Sequence, residues 1–576
     1  MSIATTIKSI QDIMRKDAGV DGDAQRISQL GWMLFLKIFD DSEKEIELLN
    51  DRYRSPIPDN LRWRNWADSD DAMFTGENLL NFVNNELFPE LKDLAADADR
   101  NPRGVIVKRV FEDAYNYMKN GTLLRQVINK LREINFNSLK DRKHFGDIYE
   151  QILRDLQSAG NAGEYYTPRA VTQFIVDMID PQLGEKLLDP ACGTGGFLTC
   201  AIEHIRKNYV KTPRDEETLQ GSIFGVEKKP LPHLLCVTNM LLHQIEIPLE
   251  VRHDNTLARP LRDYKPSDRV HVIITNPPFG GMEEDGIEKN FPYQTRETAD
   301  LFLQMIVHLL RDGGRGALVL PDGTLFGEGV KSKIKEKLLA ECNLHTVVRL
   351  PNGVFAPYTG IKTNLLFFTK GEPTREIWFY EHPYPPGYKS YSKTKPIRIE
   401  EFAPEKEWWN NRVENEFAWK VDFEAKKTSA RAAATPHWQT AEEAVARAGA
   451  LSKQVRELND RIHALRKPES PLFADNKTKQ AAELQKLEDK RDALQAEETA
   501  ARELARQEKS AGDNTWYAIF NLDVKNPNAP NDEHGDPEEL LAAYHKLLTE
   551  LGETRNALKN ELMASLDGRN AGGYTA

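Results

Sequence analysis

Cysteine is scarce in this sequence of 576 residues: it occurs four times, and no two cysteines are spaced as a CxxC pair. Zinc sites and disulfide frameworks need clustered or paired cysteines. The scarcity therefore favours a reduced, cytoplasmic protein that uses neither zinc nor disulfide bonds. The four positions are Cys192, Cys200, Cys236 and Cys342.

Long apolar segments are also absent. The longest apolar runs, such as residues 32–36, are far shorter than the about 20 residues that a membrane-spanning helix needs. The N-terminus lacks a signal-peptide pattern, and residues 1–16 instead predict an amphipathic helix. We therefore expect a protein without a membrane segment.

Positive charge is in deficit, with 77 Lys and Arg against 89 Asp and Glu and a net charge of −12. A protein that grips DNA by itself usually has a basic face. The acidity counts against autonomous tight DNA binding but leaves room for a local basic groove or a basic partner. Residues 103–143 could form a phosphate-facing surface, and solvated helix faces are the alternative that charge alone favours. The basic residues concerned are Lys108, Arg109, Lys119, Arg125, Lys130, Arg132, Lys140 and Arg142.

The chain has the size of roughly three domains, and its 40% hydrophobic and 29% charged residues are typical of globular proteins. Residues 1–160 are predicted to be mostly helical, because Ile27, Leu30 and Leu34 recur at helical spacing. Alternating strand and helix signals between residues 161 and 385 predict a doubly wound α/β sheet.

Helices are predicted from residue 386 onward. Apolar residues from Leu451 to Leu465 repeat at spacings of four and three, the seam of a coiled coil. The repeat breaks at two prolines and resumes at Leu487, which predicts a helical hairpin. Its seam could pack within the chain or on a partner's helix. A further helix is predicted to begin at Pro537.

A glycine-rich turn follows the first predicted strand, which ends at Asp189, and leads into a helix near Phe197. Such glycines let backbone N–H groups approach a ligand near a helix N-terminus. The turn lacks the lysine of an ATP-binding loop. Glu227 ends the second predicted strand, where an acid can bond ribose hydroxyls. Asp254 ends the third and could accept a bond from an adenine amino group, although either acid could also be a solvated loop residue.

A short apolar strand, residues 270–275, ends abruptly at the tetrapeptide Asn-Pro-Pro-Phe, residues 276–279. The prolines fix the backbone and form a rigid turn at the carboxyl end of the strand, where ligands bind in open α/β sheets. The amide oxygen of Asn276 and a proline carbonyl could together hold an exocyclic NH2 group. Phe279 could stack on the ring that carries it. A purely structural Pro-Pro turn is the alternative.

The motifs DPACGTGGF at residues 189–197 and NPPF at 276–279, preceded by EYYTPR at 164–169, resemble the S-adenosylmethionine-dependent amino-methyltransferases of DNA. Residues 20–45 and the C-terminal helices extend the resemblance to the modification subunit of type I restriction–modification systems. The resemblance implies a Rossmann-like methyltransferase domain, residues 161–385. It also implies a helical N-terminal domain, 1–160, that covers DNA, and a helical, coiled-coil C-terminal region, 386–576, for subunit docking.

The implied activity is transfer of a methyl group from S-adenosylmethionine to the N6 amine of a flipped-out adenine in a specific DNA sequence. The resemblance implies no metal. The catalytic residues it implies are Asn276, Pro277, Pro278 and Phe279. The cofactor-binding residues it implies are Glu164, Tyr165, Tyr166, Thr167, Asp189, Ala191, Gly193, Thr194, Gly195, Gly196, Phe197, Glu227, Asp254 and Asn276.

The implied partners are double-stranded DNA and a DNA specificity subunit that serves two methyltransferase subunits. An ATP-dependent restriction or translocase subunit is a further partner, since no ATPase loop or nuclease constellation is visible in this chain. Delegating sequence recognition to another subunit fits the acidic composition. A standalone or phage-defence adenine methyltransferase and a non-catalytic scaffold stay open as alternatives. Segment 436–510 is longer than the family pattern predicts.

Overall fold

The computed structural model describes residues 3–69, 74–137, 149, 167–356, 358–467, 477–528 and 537–570. The chain divides into two compact units, Met1–Lys525 and Asn526–Ala576. Among the described residues, no helix combines the length and apolar character that crossing a membrane requires. The helix predicted around Ile152 lies outside the described residues.

The N-terminal part of the chain is helical, as predicted. The second helix buries Trp32, Phe35 and Phe39 almost completely, because its apolar residues form a broad stripe at helical spacing. A π-helical turn, Val83–Leu87, joins the fourth and fifth helices. The helices are α1 (Ile3–Met14), α2 (Asp23–Leu49), α3 (Trp63–Trp66), α4 (Gly76–Phe82), α5 (Phe88–Lys92), α6 (Pro102–Glu112) and α7 (Gly121–Arg132).

The middle of the chain alternates between strands and helices. The strands are β1 (Leu187–Asp189), β2 (Ile223–Glu227), β3 (Val251–His253), β4 (Val270–Thr275), β5 (Leu310–Pro321), β6 (Cys342–Leu350), β7 (Thr363–Lys370), β8 (Glu376–Glu381) and β9 (Ala418–Asp422). The helices among them are α8 (Arg169–Ile179), α9 (Gly196–Asn208), α10 (Pro213–Gln220), α11 (Pro230–Leu242), α12 (Thr298–Leu309), α13 (Asp322–Phe326), α14 (Val330–Glu341) and α15 (Ala403–Asn410).

These strands form one mixed sheet in the order β3-β2-β1-β4-β5-β7-β6-β8-β9. The neighbours from β3 to β5 are parallel. Strand β7 is antiparallel to both β5 and β6, whereas β8 is parallel to β6. The strands β1 to β6 and β8 therefore all end at the same edge of the sheet, and the predicted α/β fold class is confirmed.

The helical N-terminal part and the sheet share one hydrophobic core. Gly31 of α2 faces α11 so closely that a Cβ atom there would lie 3.0 Å from a methyl carbon of Leu234. Contacts of this kind continue the core from Ile7 in α1 to Ala418 in β9. The sheet is thus supported on one side by helices from the beginning of the chain.

The long helices α16 (Phe423–Arg466) and α17 (Lys477–Tyr517) form the predicted hairpin. Leu458, Ile462, Leu465 and Leu487 pack together in its seam, so the alternative in which the seam packs within the chain is correct. Most of the charged segment 436–510 belongs to these two helices. Helix α18 (Pro537–Asn570) belongs to the second unit and begins where the sequence predicts.

Two local predictions are corrected. The segment after residue 385 adds strand β9, which pairs with β8 and buries Trp419. Its short alternation of apolar and polar residues gives little local signal, and its partner strand is distant in sequence. The prediction that residues 312–314 end a helix is wrong, because α12 ends at Leu309 and the chain enters β5 at once.

Candidate active site

A cavity of about 250 Å³ lies where β1, β2 and β4 end. It collects residues from three motifs that are far apart in the sequence. Many of the residues with predicted site roles line it, together with seven that were not predicted. The lining residues are Thr167, Asp189, Ala191, Cys192, Gly193, Thr194, Gly196, Phe197, Glu227, Lys228, Lys229, Asn276, Pro278, Gly281, Met282, Glu283 and Thr298.

The glycine-rich turn follows β1 and enters α9 at Gly196. Gly193 has φ +53° and Gly195 has φ +85°, a left-handed conformation that favours glycine. A Cβ atom on Gly195 would also lie 2.8 Å from the Cys236 sulfur. The turn therefore packs tightly on α11 behind it while its backbone faces the cavity in front.

Asp189 ends β1 and is almost completely buried. Its Oδ1 accepts hydrogen bonds from the Thr275 hydroxyl at 2.6 Å and from the Ala191 N–H at 3.1 Å. Burial raises the pKa of this carboxyl group to about 7, and the two hydrogen bonds oppose that rise. The cavity thus contains an acid that changes protonation state near neutral pH.

Glu227 connects the end of β2 to the glycine-rich turn. One carboxylate oxygen accepts the Gly193 N–H at 2.9 Å, and the other accepts the Lys229 N–H at 2.7 Å. Burial raises the pKa of Glu227 above its usual value, against the lowering effect of these backbone donors. Its first role in the structure is to hold the turn, which the sequence does not reveal.

Asn276 follows β4, and its side chain has one satisfied and one unsatisfied end. The amide nitrogen donates to the Thr167 hydroxyl at 3.1 Å. The amide oxygen is buried and has no hydrogen-bond partner among the described residues. A buried, unpaired acceptor costs about 1–3 kcal/mol, so this oxygen is suited to receive a donor from a ligand.

Phe279 and Pro277 do not line the cavity, although both follow Asn276 in the same turn. Phe279 is half-buried, and its ring meets Phe355 edge-to-face at 5.9 Å between centroids. Phe355 lies in the loop between β6 and β7. The turn therefore has an amide directed inward and an aromatic ring that sits further out.

Glu283 is a cavity residue that sequence reasoning missed. It accepts hydrogen bonds from Lys228 at 3.1 Å and, at 3.4 Å, from Asn255. The next segment of the chain is held as well, since the Thr298 N–H donates to the Gly281 carbonyl at 3.0 Å. The acidic run after the NPPF motif is visible in the sequence, but its pairing with Lys228 is not, because the contact is non-local.

Several predicted site residues are not brought to the cavity. Asp254 lies in the turn after β3 with its side chain 57% exposed, and it does not line the cavity. Gly195 shapes the turn from behind without lining the cavity. Glu164, Tyr165 and Tyr166 lie outside the described residues.

The basic residues of segment 103–143 are largely engaged with the protein itself. Arg109 donates to the Leu249 carbonyl, and the buried Arg125 donates to the Trp66 and Ala67 carbonyls. Arg132 donates to the Asp68 carbonyl, and Lys130 pairs with Glu133. Lys140 and Arg142 lie outside the described residues. Four of the six described residues are thus occupied, which weakens the expectation of a phosphate-facing surface.

Family models match almost the whole chain. The model described as N-6 DNA Methylase matches residues 140–445, and the model described as HsdM N-terminal domain matches residues 3–131. The first covers the sheet and its cavity, and the second covers helices α1 to α7.

The chain is also similar to proteins of known class. The type I restriction enzyme EcoEI methylase subunit of Escherichia coli is 55% identical over 577 residues, 99% of each chain. The EcoKI methylase subunit of Escherichia coli K12 is 29% identical over 74% of this chain and 82% of its own length. A solved chain from a structure on complex assembly and conformational transition of the type I R-M system has a TM-score of 0.68 at 32% identity. That likeness covers 98% of this chain and 99% of the solved one.

Proposed function

The chain belongs to the methylase subunits of type I restriction enzymes, which are adenine-specific DNA methyltransferases, and from this premise we propose that its cavity binds S-adenosylmethionine. When bound, this cofactor supplies a methyl group that is already electrophilic. The protein's own task is therefore to position the two reactants and to exclude alternatives.

The donors and acceptors that line the cavity fit this cofactor. The turn from Asp189 to Phe197 offers backbone N–H groups and a buried carboxyl group, which suit the charged methionine end, and Thr167 stands beside them. Glu227 retains acceptor capacity for ribose hydroxyls, because each of its oxygens accepts only one backbone N–H from the described residues. The role of Asp254 toward the adenine ring stays a prediction from resemblance.

The observation that carries the proposed chemistry is the unsatisfied amide oxygen of Asn276. Thr167 holds the nitrogen of the same amide, so the oxygen is fixed as an acceptor. An exocyclic amine that donates to this oxygen and to the Pro277 carbonyl loses conjugation with its ring. Its lone pair then becomes available to attack the methyl group.

The target adenine has to leave the duplex before this amine can reach Asn276, at a cost of a few kcal/mol. Base–aromatic stacking is worth about 1–3 kcal/mol per base. Phe279, which is half-buried and braced by Phe355, is suited to stack on the extruded base. Stacking there offsets part of the cost of extrusion.

The proposed partners are double-stranded DNA and a specificity subunit that serves two copies of this chain. Helix α18 supports the second partner, because it exposes a row of apolar residues that a soluble helix usually buries. The row contains Leu541, Tyr544, Leu547, Leu551 and Leu558. DNA cleavage is assigned to a separate ATP-dependent subunit.

Methyl transfer from labelled S-adenosylmethionine to mixed genomic DNA tests the proposal. The chain is assayed alone, with its specificity subunit, and with the substitution Asn276→Ala, and the methylated base is identified. The exposed Asn410→Ala is the matched control. We expect label in N6-methyladenine only in the presence of the partner, lost in Asn276→Ala and retained in the control.

Two other results would contradict the proposal in different ways. Activity of the isolated chain would identify a standalone methyltransferase. Absence of both methyl transfer and cofactor binding in every sample would leave a scaffold with a methyltransferase fold.

A further inference from the structure

One stretch of this acidic protein is strongly basic. Residues 382–399, the basic segment, contain four Lys or Arg and no Asp or Glu, in a chain with a net charge of −12. Tyrosines alternate with the basic residues in the same stretch. The basic residues are Lys389, Lys393, Lys395 and Arg398, and the tyrosines are Tyr384, Tyr388 and Tyr391.

The sheet topology brings the basic segment to the edge that holds the active site. Strand β8 runs parallel to β6, and two antiparallel pairings through β7 give β6 the same direction as β5 and β4. The basic segment begins directly after β8, where the His382 N–H donates to the Arg349 carbonyl at 2.9 Å. It therefore leaves the sheet at the same edge as Asn276.

Buried polar side chains fix the backbone of the basic segment. Tyr391 is buried, and its hydroxyl donates to Glu401 at 2.5 Å. His382 contacts the same hydroxyl at 3.3 Å and forms a buried hydrogen bond with Glu405. Directly after Tyr391, the chain makes a tight turn in which Ser392 and Lys395 exchange backbone hydrogen bonds. The lysines are thus presented from an ordered base.

The basic segment also packs on the loop that braces Phe279. The Tyr384 hydroxyl donates to the Asn352 carbonyl at 3.1 Å. A Cβ atom on Gly353 would lie 2.4 Å from the Tyr391 carbonyl oxygen, so the two backbones are in close contact. Phe355, two residues further along this loop, meets Phe279 edge-to-face. A short chain of contacts therefore joins the basic segment to the ring that is suited to stack on the target base.

The positive charges of the basic segment remain available to a ligand. Lys389, Lys395 and Arg398 are exposed, and none forms an ion pair with a carboxylate in the described part of the chain. Lys395 lies over the Tyr388 ring at 5.2 Å, which restricts its position without neutralising it. Segment 103–143 differs in this respect, because most of its described basic side chains bond to the protein.

We propose that the basic segment binds the phosphate backbone of DNA beside the adenine that is being methylated. The inference rests on the proposed function, and it adds a contact surface to the catalytic part of the chain. Lysine and arginine contacts to phosphates fix the position of the duplex and carry no sequence information. The surface therefore holds DNA near Asn276 while the specificity subunit selects the site.

The test compares the double substitution Lys389→Gln with Lys395→Gln against wild type, each assembled with the specificity subunit. The control is Lys453→Gln with Lys490→Gln, which removes the same charge from exposed sites on α16 and α17. Binding to a fluorescent duplex of mixed sequence is measured by anisotropy across a salt series. Methyl transfer at saturating DNA and low salt is measured in parallel.

Each lost phosphate contact lowers the slope of log affinity against log salt by about 0.9, so the loss of affinity between about 50 and about 200 mM salt shrinks about tenfold for two contacts. We expect this change in the test variant only, with cofactor binding unaltered and with methyl transfer at saturating DNA close to wild type. The same change in the control would show a general charge effect and overturn the proposal.

An unchanged salt slope in the test variant, with wild-type methyl transfer intact, would overturn the proposal and leave the proposed function standing. Weaker assembly with the specificity subunit at an unchanged slope would identify a protein-docking surface instead. If the wild-type complex neither binds nor methylates DNA, the proposed function fails and the inference falls with it.

Discussion

Asp189 is a carboxyl group that is buried without a cationic partner in the described part of the chain. Its hydrogen bonds come from one hydroxyl and one backbone N–H, which do not outweigh the cost of removing a charge from water. The residue therefore holds its proton up to about pH 7. A positively charged ligand group beside it would change that balance.

We predict that cofactor affinity depends on pH through Asp189. If the cofactor's ammonium group favours the carboxylate, affinity decreases about tenfold for each pH unit below about 7 and is constant above it. Without cofactor, the raised pKa makes the free energy of unfolding decrease as pH rises from 3.8 to about 7, because ionisation then occurs at a cost in the folded state only. Titration calorimetry and denaturant unfolding at several pH values measure the two effects.

The substitution Asp189→Asn should remove both pH dependences. Asp263→Asn, at a carboxyl group that is 55% exposed, is the matched control and should keep the wild-type profiles. A wild-type cofactor affinity that does not change between pH 5 and pH 8 would contradict the assignment of Asp189 to the charged end of the cofactor.

Single residues could be predicted from the sequence where a short motif fixes their chemistry. Asn276 and the glycine-rich turn were found in this way, and the structure brings both to one cavity. Glu283 could not be found, because its importance comes from Lys228, which belongs to another strand end. The role of Glu227 as a support for Gly193 was hidden for the same reason. Motifs describe local chemistry, whereas these pairings depend on how the sheet is ordered.

The element on which the cavity depends is the turn between β1 and α9. We predict that Gly195→Ala destabilises the protein and weakens cofactor binding at least tenfold. The left-handed conformation alone costs an alanine about 1–2 kcal/mol, and the new methyl group would collide with the Cys236 sulfur. Thermal unfolding and cofactor titration measure the two losses.

Gly449→Ala is the matched control, because this glycine lies within α16 and has nothing within 4 Å of an added Cβ atom. Alanine is favoured over glycine in a helix by about 1 kcal/mol, so the control should be as stable as wild type or slightly more stable. Wild-type cofactor affinity in Gly195→Ala would show that the turn does not shape the binding site.

Most elements could be predicted because their signals are local. The β/α alternation, the helical hairpin and the start of α18 follow from hydrophobic period, glycine and proline. The extra strand β9 and the direct passage from α12 into β5 could not be predicted in this way. Both depend on pairing with a strand elsewhere in the sheet, which overrides weak or misleading local preferences.

Across the whole first unit, helices and sheet are held by one continuous core. We predict that Leu234→Ala, at the contact between α11 and Gly31 of α2, lowers the stability of both parts together. A buried leucine replaced by alanine costs about 2–5 kcal/mol. Hydrogen exchange followed by mass spectrometry should show faster exchange in α2 and in β1 to β5 by a similar factor.

Leu504→Ala, at a side chain that is 43% exposed on α17, is the control and should change exchange in neither region. Faster exchange in the sheet alone would show that the N-terminal helices fold independently, contrary to the prediction.

The shared core has a consequence for how such proteins exchange parts during evolution. A crossover near residue 160 between two divergent relatives would join an α2 from one parent to an α11 from the other. The close contact of Gly31 with Leu234 leaves no space for a mismatched side chain. Viable recombinants should therefore inherit the first 525 residues as one block, and diversity in target sequence should arise by exchanging the partner subunit.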